Sequence, residues 1–165
     1  MAAAPAVKGP YGLAGPYEDA DGTYEVRLER VPGGLRLGAW AAGSVQRRAA
    51  VLAAADLPGL LTSAAERGAL EQEEVQRMLG SAQAALASYG DVAHEPEAFG
   101  SSRGRAGELR DELRVEAVEG GRLRIARWID RPGRGWELQE APVMLPAARY
   151  AEALASAAER GAFCR

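Results

Sequence analysis

Hydrophobic and polar positions alternate along two stretches of the chain. From Tyr24 to Val31, Tyr24, Val26 and Leu28 fall on one side and Glu25, Arg27 and Glu29 on the other. That period of two predicts a half-buried strand. Pro32-Gly33-Gly34 turns the chain, and Leu35, Leu37 and Ala39 continue the apolar side, which predicts a β-hairpin. Leu113–Val118, Gly120-Gly121 and Arg122–Trp128 follow the same plan. Strand character is weaker over 45–52 and 136–145.

A period of 3.6 takes over elsewhere. Leu57, Leu60, Leu61, Ala64 and Ala65 form the stripe of a helix capped by Asp56, with Pro58 in its first turn and Gly68 at its end. Between 71 and 89, Val75, Met78, Leu79, Ala82, Leu86 and Tyr89 share one helical face. Glu71, Glu73 and Glu74 suit its N-terminus through the helix dipole. A last helix over 146–160 buries Tyr150, Leu154, Ala157 and Ala158.

The two hairpins and their following helices read as copies. The offset is 87 between Gly34 and Gly121, 88 between Trp40 and Trp128, and 93 between Gly68 and Gly161. Each helix ends on Ser-Ala-Ala-Glu-Arg-Gly, at 63–68 and 156–161. Insertions confined to loops are the mark of a duplicated folding unit. The predicted architecture is α+β, with two tandem repeats of antiparallel sheet followed by a helix and an extra connector helix. Residues 1–22, rich in Ala, Pro and Gly, read as a flexible arm. The first repeat spans 23–70, the connector helix 71–90, a linker 91–110 and the second repeat 111–165. Neither repeat shows an obvious fourth strand.

Composition narrows the function. The chain has 165 residues and a net charge of −3, so it is not a uniformly basic nucleic-acid binder. The charge is uneven, however. Nine arginines face six acids between Arg103 and Gly135, whereas seven acids face two arginines between Glu66 and Glu97. Cys164, the single cysteine, excludes an intramolecular disulfide and a cysteine-based metal cluster. No apolar run approaches the ~20 residues of a membrane span, and the first twenty residues resemble no targeting peptide. An intracellular protein with no membrane partner is expected. His94, the only histidine, stands without partners in the linker, and the paired glycines lack the strand-to-helix setting of a phosphate loop. Asp130, Glu137 and Glu140 read as a solvated rim, so neither enzyme activity nor a cofactor or metal is expected.

Alternation also assigns the outer face of each hairpin. Arg36 and Trp40 share it in the first copy; Arg114, Arg122, Arg124 and Trp128 share it in the second. The second copy adds a loop carrying Arg131, Arg134 and Trp136, and the first offers only Arg47 and Arg48 nearby. Exposed rings beside cations suit unpaired bases, which stack on the rings while arginines meet phosphates. The same face could instead pack against the other repeat or a second subunit, with Trp40 and Trp128 as interface core.

Ile125–Gly133 resembles the strand and loop of the C-terminal domain of the transcriptional coactivator positive cofactor four. Val143-Met144-Leu145-Pro146, followed by a helix with Tyr150, is similar to the next segment of that family. The tandem arrangement resembles Pur-alpha, and the Whirly proteins belong to the same structural group. The resemblance implies a curved antiparallel sheet backed by a helix, two-fold pairing as a homodimer or intrachain pseudo-dimer, and binding of single-stranded DNA or RNA. It also implies a transcription-related role in nucleus or nucleoid. The family's loop is rich in lysine; here it holds Arg131, Arg134 and Glu137. A protein-interaction or scaffolding domain is the alternative.

Overall fold

Where its residues are described, each apolar stripe read from the sequence lies on the buried side of a sheet or helix, but the strands outnumber those expected. The computed structural model describes residues 11–87, 99–118 and 120–160. In chain order the first half holds β1 (Tyr11–Asp19), β2 (Gly22–Val31), β3 (Gly34–Ala41), β4 (Ser44–Val45) and β5 (Ala50–Ala53). A 3-10 turn at Ala54–Asp56 leads into α1 (Leu57–Glu66) and then α2 (Gln72–Ala87). The second half holds β6 (Phe99–Ala106), β7 (Leu109–Val118), β8 (Arg122–Arg131), β9 (Gly135–Leu138), β10 (Val143–Leu145) and α3 (Ala147–Arg160). The α+β class is as expected.

One antiparallel sheet, sheet A, runs β1-β2-β3-β10 with β4 also on β3; the other, sheet B, runs β6-β7-β8-β5 with β9 also on β8. The two orders become identical when β1–β5 are exchanged for β6–β10. Each half therefore gives its last strand to the sheet of the other half. Leu52 and Ala50 of β5 sit opposite Leu123 and Ile125, and Leu145 and Val143 of β10 sit opposite Leu35 and Leu37. These residues are all buried, so the donated strands complete the apolar inner faces as well as the ladders.

The inner faces of both sheets and the helices share one core. Leu28 and Leu37 of sheet A, Leu113 and Ile125 of sheet B, Met78 of α2 and Leu154 of α3 line the same small void. Tyrosine hydroxyls fasten the layers. Tyr24 donates to the Val51 carbonyl at 2.7 Å, and Tyr150 to the Leu35 carbonyl at 2.9 Å, with the Val143 carbonyl at 3.2 Å. Burial pushes the Tyr150 hydroxyl well above the ordinary tyrosine range, as befits a buried donor that stays protonated.

After β5 has joined sheet B, α1 returns to β1; after β10 has joined sheet A, α3 returns to β6. The repeated Ser-Ala-Ala-Glu-Arg-Gly segment makes both returns possible. A β-carbon at Gly12 would lie 2.3 Å from the Leu60 carbonyl oxygen and 2.6 Å from the Ala64 methyl. One at Gly100 would lie 2.2 Å from the Ala157 amide nitrogen. Glycine on the strand and alanine on the helix thus set the approach. The Ser63 hydroxyl accepts from the Leu13 amide at 2.9 Å, and the Ser156 hydroxyl from the Ser101 amide at 3.0 Å. Each edge strand thus gives one outward amide to a helix side chain, and the helix lies close over it.

Several expectations need correction. Tyr11–Asp19, assigned to a loose arm, is β1, and Phe99–Ala106, assigned to the linker, is β6. Their glycines, serines and prolines give little strand propensity; cross-strand pairing and the helix above hold them extended. Residues 45–52 divide into the end of β4 and most of β5, and 136–145 into β9 and β10, so a fourth strand is present in each half. Asp56 makes no side-chain cap for α1; its carboxylate accepts from the Tyr17 hydroxyl at 2.6 Å instead. Lys8, Tyr89, His94 and Cys164 lie outside the described residues.

Gly12→Ala and Gly100→Ala should each lose about 1–3 kcal/mol by overpacking against helix backbone. Gly80→Ala, in the middle of α2 where a β-carbon meets nothing within 4 Å, should gain about 0.5–1 kcal/mol. Urea unfolding midpoints of the three variants should show these opposite signs.

Candidate nucleic-acid interface on sheet B

The helices lie on the inner side, which leaves an outer face on each sheet. Cross-strand register arranges that face in rows. On sheet B the first row is Phe99–Glu116–Arg124–Val51, the second Ser101–Arg114–Ala126 and the third Arg103–Glu112–Trp128–Leu138. On sheet A the corresponding rows are Tyr11–Glu29–Arg36–Met144, Leu13–Arg27–Gly38 and Glu25–Trp40–Val45. Ring, carboxylate and guanidinium occupy equivalent places in both.

The central arginine is held the same way on each sheet. Arg27 lies 4.3 Å from the Tyr11 ring and 4.4 Å from Trp40, and pairs with Glu25 at 2.6 Å. Arg114 lies 4.3 Å from Phe99 and 4.5 Å from Trp128, and pairs with Glu112 at 2.8 Å. Gly38 and Ala126 stand opposite these arginines in the ladder, and their small size leaves room for a flat guanidinium. Arg36 pairs with Glu29 at 2.8 Å and Arg124 with Glu116 at 3.1 Å. The indoles differ. Trp128 Nε1 donates to Glu116 at 3.3 Å, whereas the buried Trp40 Nε1 has no partner among the described residues. Arg114 is only 12% exposed, so it serves as a clamped strut, and its charge is already matched by Glu112.

Sheet B has a fourth row, Arg105–Arg110–Asp130–Trp136, for which sheet A has no full equivalent among the described residues. Trp136 lies 5.3 Å from Arg114 and 5.7 Å from Arg110. Rings and guanidinium groups therefore alternate across the face as Arg124, Trp128, Arg114, Trp136 and Arg110. The last of these is 66% exposed and also pairs with Asp130. A cleft of about 380 Å³ opens here, walled by Arg103, Arg105, Arg110, Glu112 and Trp136, with Asp111 at its floor. On sheet A a cleft of about 310 Å³ at the β1–β2 end is lined instead by Asp19, Asp21, Tyr24, Arg47 and Arg48. There Arg48 hydrogen-bonds Asp19 at 2.6 Å, which with the Asp21 amide holds that carboxyl below its ordinary range.

Under the cleft, Asp111 is fully buried between two arginines. Arg127 Nε donates to it at 2.5 Å and Arg149 at 2.7 Å, while Arg149 Nε also reaches the Ser102 hydroxyl at 3.1 Å. This cluster ties α3 to the floor of the cleft and leaves two cations against one anion there.

Among the residues expected on the site, Arg114, Arg124, Trp128 and Trp136 are brought into one layered stack, and Arg36 and Trp40 into its counterpart on the other sheet. Arg131 and Arg134 both pair with Glu137, at 3.0 and 2.7 Å, in the β8–β9 turn. Arg122 is drawn to the Tyr24 hydroxyl at the far end of β8. Sequence reasoning missed Phe99, Arg103, Arg105, Arg110 and Glu112. For two of them a signal was present in the repeat. Phe99 recurs from Tyr11 at an offset of 88, and the Glu-x-Arg triplet of Glu112 and Arg114 recurs from Glu25 and Arg27 at an offset of 87.

Comparison with protein-family models, curated proteins and solved structures found no match to this chain. Among the described residues no group of three or more His, Cys, Asp or Glu side chains could hold a metal ion, and no helix is long and apolar enough to cross a membrane.

Asp111→Ala should cost about 3–5 kcal/mol, because it leaves two partly buried arginines without their shared, fully buried carboxylate. Arg103→Ala, whose side chain is 84% exposed, should change stability by less than ~0.5 kcal/mol. Urea denaturation of both variants checks the contrast.

Proposed function

We propose that the chain is a non-enzymatic module that binds single-stranded DNA or RNA on the outer face of sheet B. The observation that carries this reading is the ladder of alternating rings and guanidinium groups ending in the open row of Arg105, Arg110 and Trp136. Unpaired bases stack on aromatic rings and on arginine planes alike, and surplus arginines meet the phosphates between them. Charge favours sheet B over sheet A. On sheet A each face arginine is matched by a glutamate, whereas Arg103 and Arg105 add cations at the sheet B cleft, where Glu112 is already paired with Arg114. The likeness of Ile125–Gly133 to the positive cofactor four family supports the same reading, and the transcription-related setting rests on that likeness alone. The matched strand orders of the two sheets support descent of the halves from one unit.

A single-stranded oligonucleotide should quench tryptophan fluorescence at low salt, with log K falling by about 0.7 per phosphate contact for each decade of salt. Trp136→Ala should weaken binding by about 1–3 kcal/mol. Arg47→Gln, at the sheet A cleft, should leave affinity within about twofold, below 1 kcal/mol. Absence of quenching at low salt would sink the proposal.

A further inference from the structure

Opposite charges face each other along the first and third rows of sheet B, but the fourth begins with two like charges. Arg105 of β6 and Arg110 of β7 are direct cross-strand partners. Such partners hold their β-carbons about 5 Å apart, and like charges placed so are destabilising. Arg110 has Asp130 on its other side. Arg105 has no carboxylate partner among the described residues; its guanidinium donates to the Glu108 carbonyl at 3.1 Å, in the hairpin turn. Arg103, two residues back on the same face, is 84% exposed, and the glutamate it reaches is already engaged by Arg114. Below them the Arg127–Asp111–Arg149 cluster carries one cation in excess. Positive charge is thus in excess in the cleft, where Arg103, Arg105 and Arg110 meet only Glu112 and Asp111, both already engaged by other arginines.

We infer that the Arg105–Arg110 end of sheet B is a subsite for one phosphate group, held between the two guanidinium forks with Arg103 beside it. Each arginine has N–H donors beyond those already used, and paired forks converging on a tetrahedral anion make charge-assisted, bidentate contacts. Trp136, in the same row, offers its ring to a planar group attached to that phosphate. The inference deepens the single-strand reading and rests on it for the source of the phosphate, which is a strand backbone. A free phosphate or nucleotide would satisfy the same chemistry.

The test uses the full chain and two probes, inorganic pyrophosphate and a single-stranded oligonucleotide. Pyrophosphate near ten times its dissociation constant should raise the melting temperature by about 3 °C over chloride of equal ionic strength. Arg105→Gln should abolish that rise, yet melt no lower than the parent protein without anion, because it removes a like-charge opposition. Arg47→Gln should keep the full rise. In the oligonucleotide arm, Arg105→Gln should flatten the salt slope by about one unit. An undiminished pyrophosphate response in Arg105→Gln, or a lower melting point without anion, would overturn the subsite. If that variant also bound the oligonucleotide with the parental slope, the single-strand reading would stand without the subsite. An Arg105-dependent pyrophosphate response with no oligonucleotide binding would keep the subsite and discard the single strand as its source.

Discussion

Neither half of the chain can finish its own sheet, and the rest of the structure follows from that exchange. β5 and β10 span only Ala50–Ala53 and Val143–Leu145, too short to be held by ladder bonds alone. Burial of Leu52 and Leu145 against the opposite half holds them in place. Each is followed at once by a helix that must cross back to its own half, over an edge strand whose glycine lets the backbone come close. Unfolding one half would remove a strand from the other, so the two sheets should melt together. The helices all pack on the inner side. Among the described residues no helix covers the outer faces, which is a consequence of the topology.

Much of the fold was legible because burial follows period. The alternation over 24–39 and 113–128, and the helical stripes over 57–65 and 75–82, correspond to buried positions. The edge strands were illegible for a physical reason. Gly12, Gly15 and Pro16 in β1, and Gly100, Ser101 and Ser102 in β6, are poor strand formers that are extended only because a neighbour and a helix hold them. The repeated Ser-Ala-Ala-Glu-Arg-Gly could be seen, but its meaning could not. Ser63 and Ser156 act on amides fifty or more residues away.

The outer-face arginines and tryptophans were likewise legible, and their condition was not. Alternation says which way Arg114 points; only cross-strand register brings Phe99, Glu112 and Trp128 around it. A guanidinium between two rings and beside a carboxylate is rigid, partly desolvated and electrically balanced. Such a group makes a good strut and a poor ligand for a second anion. Arg131 and Arg134 share Glu137 in the β8–β9 turn and do not line the cleft.

Both sheets therefore carry the same neutral lattice, and it is the departure from that lattice that distinguishes them. On sheet A the hairpin end beyond the third row stays balanced, with Asp19 and Asp21 against Arg47 and Arg48, and Asp19 holding Arg48. On sheet B the same end gains a row in which arginine opposes arginine and a third tryptophan continues the stack. Arg105 and Arg110, like charges opposed across the ladder, both line one cleft. An anion entering there would replace repulsion by two attractions without any rearrangement of the ladder. Preorganisation of this kind concentrates binding at the one place where the shared pattern is left open.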